Sequence, residues 1–322
     1  PDHPLSKLAL GHYLYTVERD YQGALDQYEV VLATIPSSIV AIVNVRNAYK
    51  RLDRREEFLY WARRTQELSP ESSIVANELV IALIANRQFD EAMAFTRASE
   101  ARFPNDASWE ILGIEQYFDL LGDVDAYLAA VEPLEADGRW TELQEELTWV
   151  LYEHEGLAAA ESHLETRRTD HRAFDAALAD MEHALILREE GRASEAQALA
   201  DRALAWVIAE NPLDEGDAPR GIGNLFFAQM AVVAGDHETS RAYRALAPSA
   251  ESFPWVFLRA VVECLNGELD ALSGDPEGGW ARYAPYADDP YLCSSRAKLR
   301  ASPYARLLFG GVPAFEDFIE GK

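Results

Sequence analysis

Three prolines, Pro36, Pro70 and Pro104, stand 34 residues apart. A fixed period of this length marks a repeated supersecondary unit. Such a unit cannot bury its apolar face alone and has to stack on its neighbours. Each proline closes a segment that reads as the end of a helix: VVLATIP, TQELSP and EARFP. Behind the prolines come Ser37-Ser38, Glu71-Ser72-Ser73 and Asn105-Asp106, whose side-chain oxygens can accept from the free N–H groups of a following helix. Within each interval apolar residues recur at three- and four-residue steps, as at Ala24, Leu25, Tyr28, Val31 and Leu32. The pattern predicts helices over 5–17, 21–35, 39–51, 55–68, 74–86 and 89–102. The turns between paired helices fall at Glu18-Arg19-Asp20, Asp53-Arg54, Asn86-Arg87-Gln88 and Leu121-Gly122-Asp123. No segment sustains the apolar–polar alternation of a strand, so the predicted fold class is all-α.

The residues inside this period resemble the tetratricopeptide repeat, Trp-x2-Leu-Gly-x2-Tyr, then Ala-x3-Phe, then Pro. Trp109-x2-Leu112-Gly113 matches the front half, with Gln116 in place of the Tyr and Tyr117 next to it. Tyr21-x2-Ala24-x3-Tyr28 with Pro36 matches the back half, as does Phe89-x2-Ala92 with Pro104, where Thr96 replaces the aromatic. In the second unit Phe58 and Ala62 exchange the large and small positions, which conserves the summed volume. The resemblance implies an α-α superhelix, a solenoid of antiparallel helix pairs. The chain is also similar, in composition and in its irregular tail, to the repeat regions that follow signalling domains in bacterial regulators.

Beyond the regular part, helix pairs are predicted over 139–154 with 157–167, 172–190 with 193–210, and 220–234 with 237–247. Trp255-x2-Leu258 repeats the opening motif, with the helix ending near Cys264-Leu265-Asn266-Gly267. The expected organisation is regular repeats over 1–135, degenerate helix pairs over 136–272, and an irregular C-terminal cap over 273–322. The acidic, proline-containing stretch 211–220 is a further candidate boundary. In the cap, helices are expected near 290–300 and 303–309. Its bases Arg296, Lys298, Arg300 and Arg306 are expected to fold back onto the acidic array.

The 322 residues carry a net charge of −26. That argues against direct contact with nucleic acid, which needs clustered cations, and against an anionic membrane surface. No apolar run is long enough to span a bilayer. The chain opens Pro-Asp-His-Pro without Met, which reads as a fragment or a processed chain. Its two cysteines, Cys264 and Cys293, fit no metal motif; the expectation is two thiols in a reducing, cytoplasmic setting.

The sequence offers no phosphate-binding loop, dinucleotide fingerprint, His-Glu-x-x-His or Gly-x-Ser-x-Gly motif. His154, His163, Asp170 and His171 come nearest to a metal set, but lack its tight paired spacing and read as surface residues. Acid groups such as Glu142, Glu145, Glu146 and Asp123, Asp125 read as solvated faces. The tryptophans at helical spacing read as packing between helices. No catalytic residue, cofactor or metal is expected, and the chain is not read as an enzyme.

In the resembled family, the first helix of each unit lines a concave side that holds an extended peptide or a partner's helix. Carried over by register, this implies a binding surface of Asn44, Asn47, Lys50, Arg51, Asn77, Ile81, Tyr117 and Phe118. Asn amides can pair with both groups of a peptide backbone, or can simply be hydrated. Capture of a terminal carboxylate is disfavoured, because Leu8, Ile74 and Glu78 flank Asn44 where bases are wanted. Residues 46–64 form a basic stretch that either steers an acidic partner or pairs with neighbouring acids. The expected function is a protein–protein interaction scaffold in a bacterial regulatory or assembly system. The expected partner is a protein or peptide, with no nucleic acid, no membrane insertion, and self-association open. The alternative is a small-ligand sensor or helical hydrolase with an acidic cleft.

Overall fold

A computed structural model describes residues 3–136, 145–170, 173–213 and 221–321. Trp140, Glu142, His171 and most of the 211–220 stretch lie outside the described residues, as do the side chains of Glu145, Glu146, Asp170 and Arg296. The described residues form helices and no strand, and successive helices pack against one another in an α-α solenoid-like manner. They gather into two compact units that do not follow chain order. The first is 1–113 with 250–260 and 289–293; the second is 114–249 with 261–288 and 294–322.

In the first unit, α1 (Pro4–Tyr13), α2 (Tyr21–Thr34), α3 (Ile39–Arg51), α4 (Arg55–Leu68), α5 (Ser73–Ala85) and α6 (Phe89–Arg102) stack in order. The starts of α2, α3 and α5 are fixed by side-chain caps, whereas α4 and α6 start without one. Asp20 accepts from the Gly23 N–H, Ser38 from Ala41 and Ser72 from Val75. The turns inside the first three pairs each hold one residue in the left-handed region: Arg19, Asp53 and Arg87, again 34 apart. A helix commonly ends on such a residue, and glycine is the usual choice. Here the repeat geometry imposes it on residues with a Cβ.

The core of this unit is made by the positions that the period marks. Ala24, Leu25, Tyr28, Val45, Tyr49, Phe58, Ala62, Leu79, Leu83, Ala92 and Trp109 are buried together. Phe58 and Ala62 are both buried, so the exchanged large and small residues share one contact region. Trp109, on α7 (Ser108–Leu121), stacks on Phe103 at 5.9 Å and donates its indole N–H to Ser73 Oγ at 3.1 Å.

The second unit contains α8 (Val124–Ala136), α9 (Glu145–His154), α10 (Leu157–Asp170), α11 (Ala173–Glu189), α12 (Ala193–Glu210), α13 (Gly223–Val233) and α14 (His237–Leu246). Helix α11 is its buried centre, packed against α10 and α12. Helix α15 runs Val256–Leu272, and α16 (Pro276–Tyr283), α17 (Arg296–Ala301), α18 (Pro303–Phe309) and α19 (Pro313–Glu320) complete the chain.

Two expectations about this region are corrected. Helix α15 does not end at Cys264–Gly267. Gly267 lies inside it, where the backbone of α16 approaches so closely that a Cβ would stand 2.6 Å from Gly279 O. The tail is also more helical than its Gly and Pro content implied. Pro276, Pro303 and Pro313 each occupy a first helical position, where a missing N–H costs nothing. Trp280 centres an aromatic cluster with Tyr283, Phe309, Phe315 and Phe318, at ring distances of 5.1 to 6.0 Å. Two of the four tail bases expected to fold back do so: Lys298 pairs with Asp119 at 2.8 Å and Arg306 pairs with Glu153, whereas Arg300 donates to Ile319 O within the tail.

Neither cysteine is a free thiol; Cys264 and Cys293 are both disulfide-bonded. Spacing along the chain does not report distance in space, and distance decides pairing. Among the described residues, no helix is long and apolar enough to cross a membrane.

Candidate functional site

The first helices α1, α3 and α5 share one face of the first unit. Polar side chains join them: Arg51 Nε on α3 donates to Tyr15 Oη, in the helical turn Leu14–Glu18 that follows α1, at 2.9 Å, and Lys50 Nζ meets Glu78 Oε1 on α5 at 3.0 Å. Six of the eight residues expected to bind a partner lie on this face. Asn44 is half-buried, Asn77 is exposed and Ile81 is half-buried. Asn47 is already engaged, since its Oδ1 accepts from Arg46 Nη2 at 2.9 Å. Arg46 is a core guanidinium; burial pulls its pKa down, and the nearby Glu78 partly opposes that.

Tyr117 and Phe118 belong to the second unit. Phe118 is 1% exposed, and packs on Tyr127 at 5.4 Å with Lys298 Nζ 6.0 Å from its ring centre. It is a core residue and not a groove residue. The register argument failed here because the fourth unit's first helix is covered by the tail. Glu115, on the same helix, is pushed up to about 7 by burial, with Asp119 adding to the rise and Lys298 opposing it.

The starts of the first helices carry exposed aliphatic residues. Leu5 and Ile39 stand at equivalent positions and are 68% and 52% exposed. Val40 and Ile74 are likewise equivalent and are 60% and 77% exposed. Asn44 lies one turn after Val40, and Asn77 one turn after Ile74. Large exposed aliphatic residues repeated in register are an apolar surface without a cover. The signal was present in the sequence as aliphatic residues within two positions of the cap, Leu5, Ile39, Val40 and Ile74, where the amphipathic pattern calls for polar ones.

The ends of the first helices are different. The Arg51 guanidinium lies 3.4 Å from the Trp255 ring centre, a stacked cation–π contact. Arg55 pairs with Asp289 at 2.6 Å and with Asp53 at 2.8 Å, and its guanidinium sits 5.4 Å from the Tyr291 ring centre. Burial alone would lower Arg55; its hydrogen bonds with Asp53 and Asp289 outweigh that and raise it. The basic stretch 46–64 is therefore largely paired: Lys50 with Glu78, Arg54 with Glu57, Arg63 with Glu91, and Arg64 with Glu67. Of the two readings of that stretch, neighbouring ion pairs is the one observed.

In the second unit His163 is fully buried and shares a proton with Thr148 Oγ1 at 3.0 Å. Arg167 Nη1 donates to the same hydroxyl at 3.1 Å and to Glu182 Oε2 at 2.7 Å. His163 is thus part of a buried polar network and not a surface histidine. Among the described residues, no group of His, Cys, Asp and Glu could hold a metal ion. The same unit has a cavity of about 510 Å³ lined by Trp149, Tyr152, Glu153, Glu189, Glu190 and Arg306, among others. Tyr152 Oη donates to Glu190 at 2.7 Å; burial, reinforced by that bond, pushes the phenol up to about 12.

No protein-family model matches the chain, and no curated protein matches it.

Proposed function

We propose that this chain is a tetratricopeptide-like interaction scaffold that binds a peptide or partner helix across the first-helix face of its first unit. The observation that carries this reading is the repeated exposed pair Val40 and Ile74, with Leu5 and Ile39 beside them in register. Apolar side chains of a partner would cover these residues. The Asn44 and Asn77 amides, one turn on, would pair with its backbone. Lys50 and Arg51 contribute less to direct contact than the sequence implies, because each is already engaged. The net charge of −26 favours a neutral or basic protein partner for most of the surface and disfavours nucleic acid. The proposed role needs no catalysis and no cofactor. The disulfide-bonded cysteines favour an oxidising compartment over the cytoplasm.

The test is selection from a library of random peptides against the whole chain. Selected peptides should lose binding to a Val40→Asp/Ile74→Asp variant and keep it for Arg64→Glu on the outer helix α4. Equal binding to all three proteins would refute the site.

A second reading, sensing of a small cation, is favoured by the aromatic and carboxylate lining of the cavity at Trp149 and Glu190. It predicts that an organic amine quenches tryptophan fluorescence in the wild type and not in Glu189→Gln/Glu190→Gln.

A further inference from the structure

The cavity of the second unit lies where two helices end. Tyr152, Glu153, Gly156 and Leu157 bring the C-terminal end of α9 to it, and Glu189 and Glu190 bring that of α11. The last carbonyls of a helix have no partner within it and form its negative pole, where a base is stabilising and a carboxylate is not. Both ends nevertheless carry carboxylates. The bases beside Glu189 and Glu190 are turned elsewhere: Arg188 donates to Val233 O, and Arg192 pairs with Glu195 and Glu161. Arg306, which also lines the cavity, pairs with Glu153. Glu190 accepts from Tyr152 Oη at 2.7 Å. Among the described residues neither Glu189 nor Glu190 has a cationic partner. The lining thus holds two more carboxylates than cations, and two helix dipoles add to that charge. Acids set against a helix dipole cost stability, and breaks of a local rule of this kind belong to functional sites. The rest of the wall is apolar: Leu157, Pro303, Leu307 and the Trp149 indole, whose ring lies 5.3 Å from that of Tyr304.

We infer that this cavity binds a linear aliphatic diammonium. One ammonium sits at the Glu189–Glu190 end of α11 and the other at the Glu153 end of α9. The methylene chain lies against Trp149, Leu157 and Leu307. Two positive charges match the two surplus carboxylates. Each ammonium has three donors, which suits carboxylates and open helix-end carbonyls together. A quaternary ammonium has none and needs an aromatic cage, which Trp149 and Tyr152 alone do not make. A metal ion is disfavoured, because no group of His, Cys, Asp and Glu among the described residues could hold one. This inference rests on the small-cation reading of the cavity and adds the charge and shape of the ligand.

The experiment is isothermal titration calorimetry of the full chain in about 0.1 M salt, where exposed charges are screened beyond roughly 10 Å. The probes are putrescine, butylamine, tetramethylammonium and magnesium ion. Putrescine and butylamine share a four-carbon chain and differ by one charge. Putrescine should bind a single site at least about tenfold more tightly than butylamine or tetramethylammonium, and magnesium should not displace it. Glu189→Gln/Glu190→Gln should weaken putrescine binding about tenfold or more. It should also raise the melting temperature of the ligand-free chain, since it removes carboxylates from a helix C-terminus. Glu67→Gln/Glu71→Gln, in the first unit, makes the same charge change and should leave putrescine binding unaltered. Should Glu189→Gln/Glu190→Gln not fold by circular dichroism, Glu189→Gln alone should weaken binding by a smaller factor; no weakening overturns the inference. Equal affinity for putrescine and butylamine overturns the diammonium and leaves the small-cation reading standing, whereas binding of neither overturns both. Tighter binding of tetramethylammonium makes the site an aromatic one and overturns the inference. So does displacement by magnesium, or putrescine binding that survives Glu189→Gln/Glu190→Gln or falls equally in Glu67→Gln/Glu71→Gln.

Discussion

Gly267 and Gly113 both lie inside helices, and the structure assigns opposite signs to the same substitution at each. In an open helix, Gly→Ala stabilises by about 1 kcal/mol through backbone entropy. At Gly113 an added Cβ would meet only Thr96 Cγ2 at 3.8 Å, an ordinary contact. Gly113→Ala should therefore gain most of that. At Gly267 the new Cβ would stand 2.6 Å from Gly279 O, with Tyr283 Cβ at 3.4 Å. The near neighbour is backbone and cannot rotate away, so α15 and α16 have to move apart. Overpacking of this kind costs about 1–3 kcal/mol, and the helix gain offsets only part of it. The expected net is a loss of about 1–2 kcal/mol for Gly267→Ala. Urea unfolding of the two single variants beside wild type, with the m-value checked for constancy, gives both numbers. A Gly267→Ala protein as stable as wild type, or more so, would refute the close crossing of α15 and α16.

The remaining predictions use other parts of the molecule. Glu115 has a folded pKa of about 7 against an ordinary 4.5. The native state therefore holds the extra proton, and stability falls as pH rises through that window. At about 1.4 kcal/mol per unit, Glu115→Gln should exceed wild type in stability by up to about 3 kcal/mol at pH 8, with the gap closing towards pH 5; a gap independent of pH contradicts this. Phe58→Ala should cost about 3–5 kcal/mol. Phe58→Ala/Ala62→Phe should recover part of it by restoring volume, and no recovery would show that the two positions do not share a contact. Denatured, unreduced protein should show no reactive thiol and two after reduction, as its two cysteines require; thiols before reduction would contradict the pairing.

Much of the first unit was legible because local rules and the repeat agree. Ser38 and Ser72 cap where Ser behind Pro predicts, and α3, α4 and α6 keep the expected bounds. The tail differs for a local reason: an irregular cap is expected over 273–322, whereas Pro276, Pro303 and Pro313 start helices. Gly267 was read as a stop, and it is a point of close approach. For the site, the period placed Asn44, Asn77 and Arg51 on one face. It could not show that Trp255, Asp289 and Tyr291, some 200 residues downstream, take up Arg51 and Arg55. It also could not show that Phe118 is covered. Pairings this distant leave no periodic trace in the sequence.

The most direct measurement is methyl NMR of the Ile- and Val-labelled chain titrated with a peptide selected for binding. The account predicts shifts at Ile39, Val40, Ile74 and Ile81, the apolar residues of the first-helix face. Shifts confined to methyl groups of the second unit, with these four unmoved, would contradict it.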